Sequence, residues 1–135
     1  MKLKKFMCDV TSALLMEKNV IFWEYCEKVI ISYDGYFAMA IPKSRNIFNH
    51  EFSTGRPIPC DWDSHKLKDT TEIKMIGKKI IRIFETDKGE KVQVYEKYLD
   101  YFDGDSEFYG NSPKNPVYVR NVFGLCGMIM PIYKE

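Results

Sequence analysis

The sequence predicts an α+β domain, an antiparallel sheet with two helices on one face, and three observations predict it. An amphipathic helical repeat opens the chain, and short apolar segments separated by Asp-Gly, Gly-Lys and Asp-Lys-Gly turns follow. A second, shorter helical repeat around Tyr98 interrupts those segments. Helices mixed with mainly hairpin-connected strands bury their apolar sides best as helices segregated to one face of an antiparallel sheet. The chain has 135 residues, read as a single domain over 1–135. A domain of this size buries about two-thirds of its unfolded surface and needs no disulfide or metal staple.

Leu3, Phe6, Met7, Val10 and Leu14 recur at helical spacing, with Lys2, Lys4, Lys5, Asp9 and Glu17 on the other side, which predicts a helix over about residues 3–17. After Asn19 the pattern turns apolar and β-branched, and strands are expected over 24–33 and 36–41. Asp34-Gly35 between them is a type I′ hairpin signal, because that turn needs φ > 0 at both central positions. From Lys43 to Thr71 the chain holds Gly55, Pro57, Pro59, both histidines and little periodicity, which predicts a long connection. A helical turn near 45–49 is expected within it, pinned to the body by Phe48, Phe52 and Trp62.

Strand character returns at 72–76 and 79–85, and the alternation of Lys91-Val92-Gln93-Val94-Tyr95 marks a half-exposed strand. Tyr95, Tyr98, Leu99 and Phe102 then predict a short helix over 96–102, stopped at Asp103-Gly104. Strands at 107–109, 117–121 and 126–133 complete the chain. The second half thus reads βαβββ, and the first half reads the same without a clear opening strand.

Twenty Lys and Arg stand against 19 Asp and Glu, for a formal net charge of +1, which argues against a protein that coats nucleic acid indiscriminately. The 45% apolar content argues against disorder. No apolar run approaches the roughly 18 residues of a membrane span, and the lysine-rich start lacks the apolar core of a signal peptide, so no membrane contact and a cytoplasmic location are expected. Charge is nonetheless uneven. Residues 43–82 carry nine Lys and Arg against five acids, and residues 83–109 carry three Lys against eight acids. Such a dipole fits head-to-tail self-association, or opposite charges meeting across a hairpin within one molecule. Cys8, Cys26 and Cys126 lie in apolar segments and read as buried free thiols.

Candidate chemistry is sparse. Cys60, Asp63 and His65 are the densest set of potential metal ligands, but their spacing matches no zinc pattern and Asp-x-Asp is a common turn former. A metal-dependent enzyme on this loop is the least favoured function. No nucleophile signature accompanies the two histidines, and the scattered glycines make no phosphate cradle, so no catalysis and no cofactor are expected. Glu96 and Asp100 share a helix face and read as solvated charges. Lys2, Lys4 and Lys5 on the first helix, with Lys78, Lys79 and Arg82 beside a strand turn, are the candidate phosphate contacts if they share one face.

Residues 92–102, Glu107-Phe108-Tyr109-Gly110, Asn115-Pro116-Val117-Tyr118-Val119 and Gly127-Met128-Ile129-Met130-Pro131-Ile132 resemble the end of a bacterial DNA sliding-clamp domain. Tyr98-Leu99, Pro116 and Met130-Pro131 are the most specific points of the resemblance, which covers about a third of the chain. The resemblance implies a DNA-clamp-like fold of two βαβββ halves with helices on one face and no catalysis of its own. It further implies a single-domain relative acting as a binding or accessory module in phage or mobile-element DNA metabolism, with DNA and further copies of itself as partners. Two features depart from the family. The second helix carries Glu96, Asp100 and Asp103 against Lys97, the wrong sign for facing phosphates, and Ile132-Tyr133 follows Met130-Pro131 where the family has arginine. The alternative expectation is a module that binds another protein, unrelated to DNA, through an exposed sheet edge or the 43–71 loop.

Overall fold

The computed structural model describes residues 2–25, 27–49, 51–53, 65–121 and 124–133. Helix α1, Leu3–Leu15, forms where the apolar spacing places it and buries Phe6, Val10 and Ala13. Its end comes two residues before the expected one. Glu17 takes a left-handed φ of 56°, its N–H donates to the Leu14 carbonyl, and the Lys18 N–H donates to the Ala13 carbonyl. That is a Schellman closure with Glu where glycine is usual, so the sequence carries no stop signal there.

The stretch expected as one strand over 24–33 is split between two. Strands β1, Ile21–Tyr25, and β2, Lys28–Ser32, form a hairpin closed by the Tyr25–Lys28 pair. Strand β3, Phe37–Pro42, pairs with β2 as expected, from Ser32 opposite Ala38 to Lys28 opposite Pro42. The connection differs from a two-residue type I′ turn: Gly35 has a positive φ of 79° but Asp34 does not. Asp34 instead accepts the Tyr36 N–H, and the Gly35 N–H donates to Ser32 Oγ, making a wider loop that sends Tyr33 toward α1. A 3-10 turn follows at Lys43–Arg45, slightly before the expected helical turn. Phe48 packs on Phe22 and pins the connection as expected, whereas Phe52 joins the edge of β1 by a backbone bridge to Phe22 with its side chain exposed; Trp62 lies outside the described residues.

Strand β4, His65–Lys66, pairs with the far edge of the sheet, and β5, Lys68–Ile76, β6, Lys79–Glu85, and β7, Lys91–Tyr95, form a separate antiparallel sheet. Helix α2, Glu96–Leu99, is three residues shorter than expected. Strands β8, Glu107–Gly110, β9, Val117–Asn121, and β10, Gly124–Ile129, then form a meander. β10 stops at Ile129 because the chain continues along β7, where the Ile132 N–H donates to the Gln93 carbonyl.

The protein is therefore α+β with mostly antiparallel strands, but two sheets replace the single expected one. The larger has the order β1-β2-β3-β10-β9-β8-β4 and the smaller β5-β6-β7. An α-β-β-β order occurs twice, as α1-β1-β2-β3 and α2-β8-β9-β10, and the closing strands β3 and β10 pair antiparallel with Met39 opposite Gly127. The main core joins both helices to one face of the large sheet. Phe6 and Val10 meet Val29, Ile31, Phe37 and Met39, and Tyr98, Tyr101 and Phe102 close over Phe37. Phe84, Val92 and Val94 bring the small sheet onto the same core. Each such apolar side chain contributes about 1.5–3 kcal/mol by leaving water. Gly127 is required at the centre, since a Cβ there would lie 2.6 Å from the Ala38 carbonyl oxygen and 2.8 Å from Phe102.

Candidate functional site

The β5–β6 hairpin outgrows the sheet that carries it. β6 pairs with β7 only from Ile81 opposite Tyr95 to Glu85 opposite Lys91, so the hairpin beyond Ile81 is two-stranded. Ile76 opposite Lys79 closes its tip, and Gly77 supplies the positive φ of 64° that a two-residue turn demands. At its base the register jumps from Asp69–Phe84 to Ile73–Arg82, so β5 carries a bulge that bends the strand. Thr71 holds a left-handed φ of 61° there, its N–H on Asp69 Oδ1, while Thr70 Oγ1 donates to the Ile83 carbonyl at 2.6 Å.

Paired residues share a side of the hairpin. Asp69, Phe84, Val92 and Val94 lie on the core-facing side, and Ile73, Arg82, Met75 and Ile80 continue that side outward. Core contact ends at Arg82. Its guanidinium spans Asp69 Oδ2 at 2.9 Å and Glu96 Oε1 at 2.7 Å, and its hydrogen bond to Glu96 is the first cause holding it above its ordinary pKa. Past this ion-pair cluster Ile73 is 59%, Met75 64% and Ile80 41% exposed. The other side carries Glu72, then Lys74 opposite the fully buried Ile81, then Ile76 opposite Lys79, with Lys78 at the turn. Residues 73–84 hold Lys74, Lys78, Lys79 and Arg82 and no acidic residue.

The expected cationic residues fall in two places around an acidic strip. Lys2, Lys4 and Lys5 occupy the start of α1. The Lys2 N–H donates to the Tyr101 carbonyl, Lys4 borders an apolar groove with Met7 and Cys8, and Lys5 lies 3.9 Å from Asp100 and over the Tyr101 ring. Asp100 and Glu96 also line a groove of about 320 Å³ with Lys78, Lys79, Ile80, Tyr95 and Lys97. The Lys79 ammonium sits 5.0 Å from the Tyr95 ring centre. Carboxylates thus stand among the cations, and Arg82 already serves two of them. The basic and acidic segments meet inside one molecule again where Lys66 faces Glu107 at 3.5 Å.

Of the expected metal ligands, Cys60 and Asp63 lie outside the described residues. His65 is exposed at the start of β4, where its backbone N–H donates to Asn111 Oδ1. Among the described residues no three His, Cys, Asp or Glu side chains converge to hold a metal. Cys126 is buried as expected, and burial raises its thiol pKa; Cys8 is exposed, because the helix turns it away from the Phe6–Val10 stripe, and Cys26 lies outside the described residues.

A second polar constellation lies between α1, the β2–β3 loop and α2. Tyr98 Oη donates to Asp34 Oδ2 at 2.5 Å, Tyr101 Oη donates to Asp9 Oδ2, and the Tyr33 and Tyr101 hydroxyls are 2.9 Å apart. Phe37 stacks on both tyrosines, at 4.8 Å from Tyr98 and 5.1 Å from Tyr101. Burial first, then the acceptor carboxylates, push both phenols far above the ordinary tyrosine value. They act as neutral donors that lock the helices to the sheet. The residues that sequence reasoning missed are Ile73, Met75 and Ile80. Their one sequence signal is a hairpin that outlasts its neighbour β7.

No helix among the described residues is long and apolar enough to cross a membrane. No family model, no curated protein and no solved structure matches this chain.

Proposed function

We propose that this chain is a non-enzymatic protein-interaction module that engages its partner through the β5–β6 hairpin, hereafter the arm. One observation carries the reading: aliphatic side chains of the core-facing side run past the Arg82 cluster into solvent, with Ile73 and Met75 more than half exposed. Aliphatic surface held in water is unfavourable by about 25 cal/mol per Å², and contiguous exposed patches mark interaction sites. The arm also offers backbone, since β5 is an edge strand of its sheet.

A second reading keeps the module in DNA metabolism as a DNA-clamp-like accessory protein. What favours it is the twice-used α-β-β-β order whose closing strands pair at the centre of the large sheet. Against it, Asp100 and Glu96 stand among the cations that would face phosphates.

Photo-crosslinking separates the two. A photoreactive residue at Met75 should give an adduct with another protein, and one at Lys88, in the β6–β7 turn, should give none. Adducts with nucleic acid, or equal yields at both positions, would overturn the protein-interaction reading.

A further inference from the structure

We propose that β5 takes up its partner as an added strand, an extended peptide that alternates acidic and aliphatic residues. This rests on the protein-interaction reading and names the partner's chemistry. The argument begins with backbone. Among the described residues β5 pairs with β6 alone, so its outer edge carries a row of peptide groups directed away from the sheet. An extended segment satisfies such a row by strand addition, and pockets for alternate side chains then set specificity.

The side chains fix which segment fits. Along β5, Ile73 and Met75 lie on one side and Lys74 and Ile76 on the other, and across the hairpin Ile80 joins the first side and Lys79 the second. An incoming strand has the same period of two. Its residues on the first side meet Ile73 and Met75 and must be aliphatic to bury them. Those on the second side run beside Lys74, which has the buried Ile81 directly opposite, Lys79 diagonally across and Lys78 at the tip, while Glu72 precedes it on the same side, next to the bulge. Acidic residues there complete the charge, and like charge opposite Lys74 is unfavourable. The bulge at Thr70 and Thr71 interrupts the register, which resumes at Ile73, so the footprint is residues 73–76 and excludes Glu72.

The probe is a fluorescein-labelled Glu-Val repeat peptide titrated into the full chain by anisotropy, with amide hydrogen exchange followed in parallel. Saturable binding is expected, with slowed exchange confined to residues 73–76. Lys74→Glu should weaken it by about tenfold, and a Lys-Val repeat peptide should bind that variant better than the native chain. Absence of saturable binding, or binding indifferent to Lys74→Glu, overturns the proposal. So does protection of 73–76 that appears with chain concentration alone, which makes a second copy the occupant, or that appears only with duplex DNA, which makes nucleic acid the occupant. A protein adduct at Met75 without peptide binding would reject strand addition and leave the interaction module standing. Loss of both would reject the module itself.

Discussion

Arg82 Nη2 meets Glu96 Oε1 at 2.7 Å, so the base of the β5–β6 arm is tied to the first residue of α2. The same guanidinium takes the exposed Asp69 of β5, whereas Glu96 is partly shielded from water. One cation thereby fixes the arm to the helix and closes the edge of the core. Arg82→Ala should destabilise the fold by about 1–2 kcal/mol, since two charge-assisted hydrogen bonds are lost and a carboxylate is left half-buried. Urea unfolding measures this. The exposed Lys91–Glu85 pair at 2.9 Å is the control, and Lys91→Ala should leave the midpoint nearly unchanged.

Phe37 is the keystone of the helix–sheet contact, lying between the Tyr98 and Tyr101 rings and fully buried. Phe37→Ala should cost about 3–5 kcal/mol, because the surrounding rings belong to three separate elements and cannot collapse together into the cavity. Denaturant unfolding, with tyrosine fluorescence as a second probe, reads the loss.

Alkali should unfold the protein through the same cluster. Tyr98 and Tyr101 have their folded values raised above the ordinary value of about 10, chiefly by burial, so the unfolded chain releases these protons first. Their contribution is fully present below about pH 10 and is lost as pH rises toward the folded values. Melting temperature measured from pH 8 to 11.5 should fall steeply above pH 10. The fall should be shallower in Tyr98→Phe, although that variant starts lower because Asp34 loses a donor.

Glu17 holds the left-handed position that ends α1. Glu17→Gly should stabilise the protein by about 0.5–1 kcal/mol by removing the Cβ clash of that conformation. Glu17→Ala keeps the clash and should give no such gain. Thermal unfolding of the two variants side by side decides it.

Much of this architecture is legible in the residues. The α1 stripe, the β2–β3 pairing around Asp34-Gly35, strand Val117–Asn121 and the order β7-α2-β8-β9-β10 all follow from periodicity and turn chemistry. The break between β1 and β2 is not, because Tyr25-Cys26-Glu27-Lys28 contains none of the residues that announce a turn. Nor is the division into two sheets, between which the chain passes at the buried Leu67. The arm was hidden for another reason. Ile73-Lys74-Met75-Ile76 has the alternation of a strand with one buried side, and pattern alone does not say whether anything covers that side. The cationic candidates show the same limit. Lys78, Lys79 and Arg82 sit together in the sequence, yet Arg82 faces the core and pairs with acids while the two lysines face water.

The arm's open aliphatic side is the central claim, and the stability of a double variant tests it most directly. Ile73→Asp with Met75→Asp places two carboxylates where the core-facing side runs into solvent. Because both side chains are more than half exposed and their cross-strand neighbours are Arg82 and Ile80, the unfolding free energy measured in urea should fall by no more than about 1 kcal/mol. A loss of several kcal/mol would mean that the two side chains are packed in the native protein, and would contradict an arm held open for a partner.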